Sequence, residues 1–127
     1  MRERDIQAAL IERWRYLGVP GTLVAAIPNA NAHGQPGLTP GLPDLMVVTP
    51  KIGVGFIELK TLKGRVSPAQ AAMRATLEAL KIPYALTRDI DEPVRVLEDW
   101  GAIRQARHGR NRSDDPQGMP TGAQTVG

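Results

Sequence analysis

The sequence predicts a small α/β domain with helices packed on a mixed central sheet, and three observations carry that prediction. The chain has 127 residues, enough for one core and little more. Its hydrophobic pattern switches between helical spacing and short apolar runs in the order α-β-β-β-α-β-α. Its composition is that of an ordinary globular protein, 42% hydrophobic and 23% charged, and no apolar run approaches the roughly 18 residues of a membrane span.

The first helix is expected over Arg4–Leu17, where Ile6, Leu10, Trp14 and Leu17 recur at helical spacing and Gly18 is placed to end it. The short apolar run Thr22–Ile27 reads as a strand that stops at Pro28-Asn29. Asn29–Pro43 is rich in Asn, Gly and Pro, so it excludes a regular element and predicts a long open loop. Asp44–Thr49 reads as a buried strand, Pro50–Gly53 as a turn and Val54–Thr61 as the returning strand of a hairpin. Ser67-Pro68-Ala69-Gln70 is a strong helix start, with Ser as cap, Pro at the first helical position and Gln able to complete a capping box. That helix should run to about Leu80 and turn Met73, Leu77 and Leu80 inward. Pro83–Thr87 is the fourth strand, and Asp91-Glu92-Pro93 opens a last helix through Trp100 with Val94 and Leu97 facing the core. Residues 1–104 therefore make the domain. Residues 105–127 have few bulky apolar side chains and no period, and are expected to form a disordered tail.

Cysteine is absent, which removes disulfides, thiolate metal sites and cysteine nucleophiles together. The N-terminal MRERDIQ lacks the apolar stretch of a signal peptide, so a cytoplasmic location is the expectation. A net charge of +3 permits a polyanionic partner without demanding one. One Phe, two Tyr and two Trp argue against a platform of stacked aromatics for single strands, and contacts to nucleic acid should fall mostly on the backbone.

The chemistry gathers on the hairpin. Asp44 opens one apolar strand, and Glu58 and Lys60 interrupt the other two positions apart, hence on one face. Pairing the strands brings two carboxylates and an ammonium to one end of the sheet. Buried charges cost several kcal/mol unless paired or bound to metal. A hard cation such as Mg²⁺ would be suited by Asp44, Glu58 and a main-chain carbonyl such as that of Leu59. Lys60 could then orient or help deprotonate a water, or stabilise charge on a phosphate. The competing reading is a plain ion pair of Lys60 with Glu58 or Asp44 on a solvated sheet edge.

Pro43-Asp44 followed by Glu58-Leu59-Lys60 resembles the PD-(D/E)XK signature of restriction-endonuclease-like nucleases. Gly41–Asp44, Ile57–Thr61 and the run Lys63-Gly64-Arg65-Val66-Ser67-Pro68-Ala69-Gln70 resemble its VRR-NUC branch, over roughly residues 3–98. The resemblance implies a restriction-endonuclease-like αβββαβ core, Mg²⁺ or Mn²⁺ dependence and phosphodiester hydrolysis. It implies Asp44 and Glu58 as metal ligands, Lys60 as the catalytic lysine, and Glu3 as the acidic residue of the first helix, with Gln7 one turn later on the same face. Glu12 competes with Glu3 for that role. Gln70 has two readings, as a helix cap or as a contact to the site's water or phosphate; Ser67 reads as a cap.

Lys51, Lys63 and Arg65 are the candidate contacts to DNA phosphates, the latter two because they follow the catalytic strand within five residues. His33 reads as a solvated loop residue, and Arg107, Arg110 and Arg112 as a weak attraction for DNA that Asp114 and Asp115 partly cancel. The expected activity is a divalent-metal-dependent DNA endonuclease. The resemblance points further to branched DNA, cut in the manner of a Holliday-junction resolvase by a homodimer, and to a phage or bacterial setting. Nicking or flap cleavage is the alternative within the enzyme class, and a catalytically silent DNA-binding or adaptor module is the alternative outside it.

Overall fold

The computed structural model describes residues 1–28, 36–37 and 39–105. The expectations for His33, for most of the long loop and for the tail beyond Gln105 lie outside the described residues. Seven elements follow in the expected order: α1 (Glu3–Leu17), β1 (Leu23–Ala26), β2 (Leu45–Thr49), β3 (Gly53–Lys60), α2 (Pro68–Ala79), β4 (Tyr84–Arg88) and α3 (Asp91–Asp99). The four strands form one sheet in the order β1-β2-β3-β4, antiparallel except for the parallel pair β3-β4. A parallel neighbour needs a crossover, and α2 is that crossover.

Strand periodicity divides the sheet into two faces. Val24, Leu45, Val47, Ile57 and Leu59 are buried on one, where Ile6 and Leu10 of α1 and Leu97 of α3 close the core. The first helix thus buries the stripe its sequence announced, and Trp14 and Leu17 pack at its margin. On the other face α2 lies over β3 and β4, with Gln70 reaching Glu58 and Arg74 stacked 5.5 Å above the Tyr84 ring. The capping box at Ser67 and Gln70 is formed.

The sheet face turned toward α2 is only partly covered. Leu23 pairs with Val48 and Val48 with Val54, and Ala25 pairs with Met46 and Met46 with Phe56, so these six apolar residues share one face. All six are half-buried or exposed. Of the second helix only Leu77 is buried, while Leu80, expected inward, is 64% exposed. The reason is local: Leu80 is the C-cap, and Lys81 follows at φ 60, so the chain turns back before that side chain can reach the sheet. Ala102 and Ile103, just past α3, are buried, and Ile103 bridges Gly18. That closure joins the end of the domain to the end of α1, with Val19 N–H bonded to the Ala102 carbonyl at 2.9 Å. Among the described residues no helix is long and apolar enough to cross a membrane.

Candidate active site

The site lies where β2 begins and β3 ends. Leu45 pairs with Ile57 in the antiparallel hairpin, so the preceding residue, Asp44, faces Glu58. Asp44 is fixed at both its main chain and its side chain. Its N–H donates to the Ile57 carbonyl at 3.1 Å, and its carboxylate Oδ2 accepts from Leu59 N–H at 2.7 Å. In an extended strand a residue's N–H and C=O leave on the same side, so the Leu59 carbonyl also points toward the Asp44 side.

Glu58 is 1% exposed although it is a carboxylate in an apolar strand. Its Oε2 accepts from Gln70 Nε2 at 2.9 Å and lies 3.8 Å from Lys60 Nζ, while Oε1 is buried and has no hydrogen-bond partner among the described residues. Burial first, then the Asp44 charge and a hydrogen bond to Asp44, push the Glu58 carboxyl up to about 8, against the opposing pull of Lys60. As carboxylates neither Asp44 nor Glu58 can donate to the other, and a proton or a cation on Oε1 would relieve the pair.

Lys60 is 6% exposed and lies between two acids, Glu58 at 3.8 Å and Glu3 at 4.0 Å. The chain beyond it folds over its stem: a Cβ on Gly64 would stand 3.3 Å from Lys60 Cδ and 3.4 Å from Glu3 Oε2. The open-edge ion pair is therefore not what forms, because the ammonium is enclosed. Glu3 rather than Glu12 comes to the site. Glu12 is exposed further along α1, in a shallow groove with Arg13 and Tyr16.

Gln70 caps the helix with one end of its amide, and the other end reaches the Glu58 carboxylate rather than solvent. Oε1 accepts from Ser67 N–H at 2.9 Å, completing the capping box, and Nε2 donates to Glu58. The helix start is thereby tied to the acidic centre. Gly41 presses the preceding loop onto the same turn of helix: at φ +89 its absent Cβ would lie 2.4 Å from the Ala69 carbonyl oxygen. In front of Asp44 opens a cleft of about 640 Å³, bounded by Glu3, Arg4, Gln7, Pro28, Thr39 and Gln70 among others.

Lys63 and Arg65 are exposed on the β3–α2 connection beside this centre. Lys51 is not brought there; it sits on the hairpin turn at the opposite end of the sheet and donates to the Asp99 carbonyl at 2.6 Å, at the end of α3. Two residues at the site were not singled out from sequence. Arg4 lines the cleft, and its i, i+3 spacing to Gln7 was the available signal. Arg88 binds the connection after β3, and its sequence neighbours give no hint of that contact.

Donor chemistry and burial together fit a hard cation: two facing carboxylates, one orphaned buried oxygen and a main-chain carbonyl on the same side. Among the described residues no three Asp, Glu, His or Cys side chains converge to hold an ion by themselves, so the remaining ligands would be main chain and water.

Comparison with known proteins accords with this geometry. The VRR-NUC domain family matches residues 1–88. A solved structure described as a VRR_NUC domain protein superimposes with a TM-score of 0.67 at 19% identity, covering 79% of this chain and 88% of the other. A second, described as a VRR_NUC domain, does so with a TM-score of 0.56 at 22% identity, covering 76% and 94%. No curated protein sequence matches. The two structures establish that the fold is shared, and the match over residues 1–88 establishes the family: this chain belongs to the VRR-NUC domain family, a nuclease-type domain.

Proposed function

We propose that the chain is a divalent-metal-dependent DNA endonuclease, and the observation that carries the reading is the buried, partnerless Glu58 Oε1 beside Asp44. Asp44, Glu58 and the Leu59 carbonyl are the residues that would hold Mg²⁺, with Mn²⁺ able to substitute. When bound, such an ion supplies a water of lowered pKa and neutralises charge on the phosphate.

The chain's own residues do the rest. Lys60 presents a fixed ammonium next to the carboxylates, where it can orient a water or stabilise charge developing on the phosphate oxygens. Glu3 holds that ammonium from its other side and is the nearest further acid for a second ion or an outer water. Gln70 keeps the Glu58 carboxylate from rotating, so Oε1 stays turned toward the site. Lys63 and Arg65 are placed to take DNA phosphates.

Branched DNA as substrate, cut by a homodimer in the manner of a Holliday-junction resolvase, is the finer reading; family resemblance supports the substrate. The open apolar sheet face around Met46, Val48 and Phe56 supports the dimer as the surface a second copy would cover.

The test is cleavage by wild type, Asp44→Ala and Lys60→Ala of an immobile four-way junction, a flap and a linear duplex, with Mg²⁺, Mn²⁺ or chelator. Paired cuts in the junction that vanish with chelator and in both variants are expected. Cutting confined to flaps or nicks would replace the resolvase, and binding without cutting on every substrate would leave a silent DNA-binding module.

A further inference from the structure

We propose that Leu62, held at the tip of the Thr61–Gly64 turn by Arg88, is a rigid apolar probe that packs against DNA bases where stacking is interrupted. The inference rests on the DNA-binding part of the reading above and adds a contact that reading does not contain.

The turn leaves β3 directly after Lys60. Gly64 N–H closes it onto the Thr61 carbonyl at 3.2 Å, which puts Leu62 and Lys63 at its two central positions. Leu62 is 70% exposed. A single exposed leucine carries no message by itself; here its setting does.

The first part of that setting is rigidity. Arg88 stands opposite Lys60 in the parallel β3-β4 register. Its Nη1 donates to the carbonyls of Thr61 at 3.0 Å, Leu62 at 3.4 Å and Gly64 at 2.7 Å. The two N–H groups of Nη1 are shared among three main-chain carbonyls, the Leu62 carbonyl being the most distant, and so tie down the turn. The turn also packs closely, since a Cβ on Gly64 would stand 3.3 Å from Lys60 Cδ and 3.4 Å from Glu3 Oε2. Connecting turns are ordinarily the mobile parts of a domain. This one is tied down by Arg88, which holds the Leu62 main chain at an exposed tip.

The second part is charge. Lys63 and Arg65 follow Leu62 directly on the same connection and are exposed, as is Val66 at 37%. Two cations within three residues of Leu62 would seat the tip on the phosphate backbone and bring Leu62 close to the bases. In a continuous duplex the bases there are stacked, and inserting an apolar side chain requires opening a base step. At a nick or branch the step is already weakened, so the same insertion buries Leu62 without that opposing term. Discrimination between interrupted and continuous DNA then follows from one side chain, and from the clamp that keeps it extended.

The test measures binding by the full-length chain in chelator, on a continuous duplex and a nicked duplex of equal length with 2-aminopurine at the nick. Wild type should bind the nicked duplex more tightly and raise its fluorescence. Leu62→Ala should lower nicked-duplex affinity roughly tenfold, abolish the fluorescence rise and leave continuous-duplex affinity alone, while Leu62→Met restores both signals. Arg88→Gln should lose much of the preference although Leu62 is intact, with thermal unfolding confirming that the domain remains folded. Lys63→Ala should weaken both duplexes alike and lower the salt slope by about one. Equal effects of Leu62→Ala on both duplexes, no effect on either, or no DNA binding by wild type would overturn the proposal. A nick preference that depends on Leu62, in a chain that cuts nothing when Mg²⁺ is added, would uphold it and sink the nuclease reading alone.

Discussion

Asp44 and Glu58 face each other across the β2-β3 pairing with no donor between them, and Glu58 Oε1 is buried and partnerless as a result. The fold tolerates this because Gln70 and Lys60 satisfy the other Glu58 oxygen and Leu59 N–H satisfies Asp44. What is left is an arrangement with two complements, a proton or a cation, and the choice between them depends on pH.

The metal-free protein should lose stability as pH rises from about 4.5 toward 8. The Glu58 carboxyl is raised from an ordinary 4.5 to about 8, so within that window the folded state keeps a proton that the unfolded state has released. Stability therefore falls with rising pH, by on the order of a few kcal/mol, and levels above the folded value. Added Mg²⁺ should raise the midpoint of thermal unfolding more at pH 8 than at pH 5, because it takes the place of the proton. Glu58→Gln should flatten the pH dependence and remove the Mg²⁺ effect. A midpoint that climbs between pH 5 and 8 in chelator contradicts the assignment.

Ser67 and Gln70 should separate by what their loss affects. Ser67 Oγ accepts from Gln70 N–H at 3.1 Å and makes no contact with the acidic centre, so Ser67→Ala should cost about 1 kcal/mol in denaturant unfolding and leave cleavage nearly unchanged. Gln70→Ala removes half of the capping box and also the restraint on Glu58. It should cost a similar amount of stability and in addition lower kcat by roughly tenfold or more. Equal losses of activity in the two variants would mean that the helix start, and not the Glu58 contact, is what matters.

Much of this was legible in the sequence because the signals were local. Apolar runs on either side of the Pro50–Gly53 turn located β2 and β3, and the hairpin then dictated that Asp44 should meet Glu58 and Lys60. The Ser67-Pro68-Ala69-Gln70 start gave α2 its first turn. What sequence did not reveal depends on where the chain returns. Arg88 reaches carbonyls more than twenty residues earlier, a contact that exists only because β4 pairs parallel with β3. Ile103 is buried by meeting Gly18 at the far end of the first helix. Leu80 failed in the other direction: its helical spacing is right, but the helix ends at that residue and no element lies beneath it. Lys51 looked like its fellow lysines until the hairpin carried it to the end of the sheet away from the carboxylates.

Gly41→Ala should be a destabilising change out of proportion to its size. The residue combines a positive φ with a virtual Cβ 2.4 Å from the Ala69 carbonyl oxygen, so the methyl meets main chain, which cannot rotate aside. Backbone strain of this kind costs about 1–3 kcal/mol, read by denaturant unfolding. Because the displaced carbonyl belongs to the residue before Gln70, cleavage should fall with it, even at temperatures where the variant is fully folded. Gly37→Ala is the control: it has a positive φ too, at +88, but among the described residues nothing lies within 4 Å of its Cβ, so it should show the strain alone and keep its activity.

The three candidate DNA lysines and arginines should divide according to which end of the sheet they occupy. Gly53, where β3 begins, lies five residues from Glu58, about 17 Å at roughly 3.3 Å per residue, and Lys51 is beyond it with its ammonium bound to the Asp99 carbonyl. Lys63 and Arg65 lie within seven residues of Glu58, on the turn that covers Lys60. Each released counterion contributes close to one unit to the slope of log affinity against log salt. Lys63→Ala and Arg65→Ala should therefore each reduce the slope by about one, measured by fluorescence anisotropy over a range of salt concentrations. Lys51→Ala should leave the slope unchanged and instead lower stability modestly, through the loss of a cation at the C-terminal end of α3. A reduced slope for Lys51→Ala would mean that bound DNA extends past the carboxylate end along the sheet to the hairpin turn.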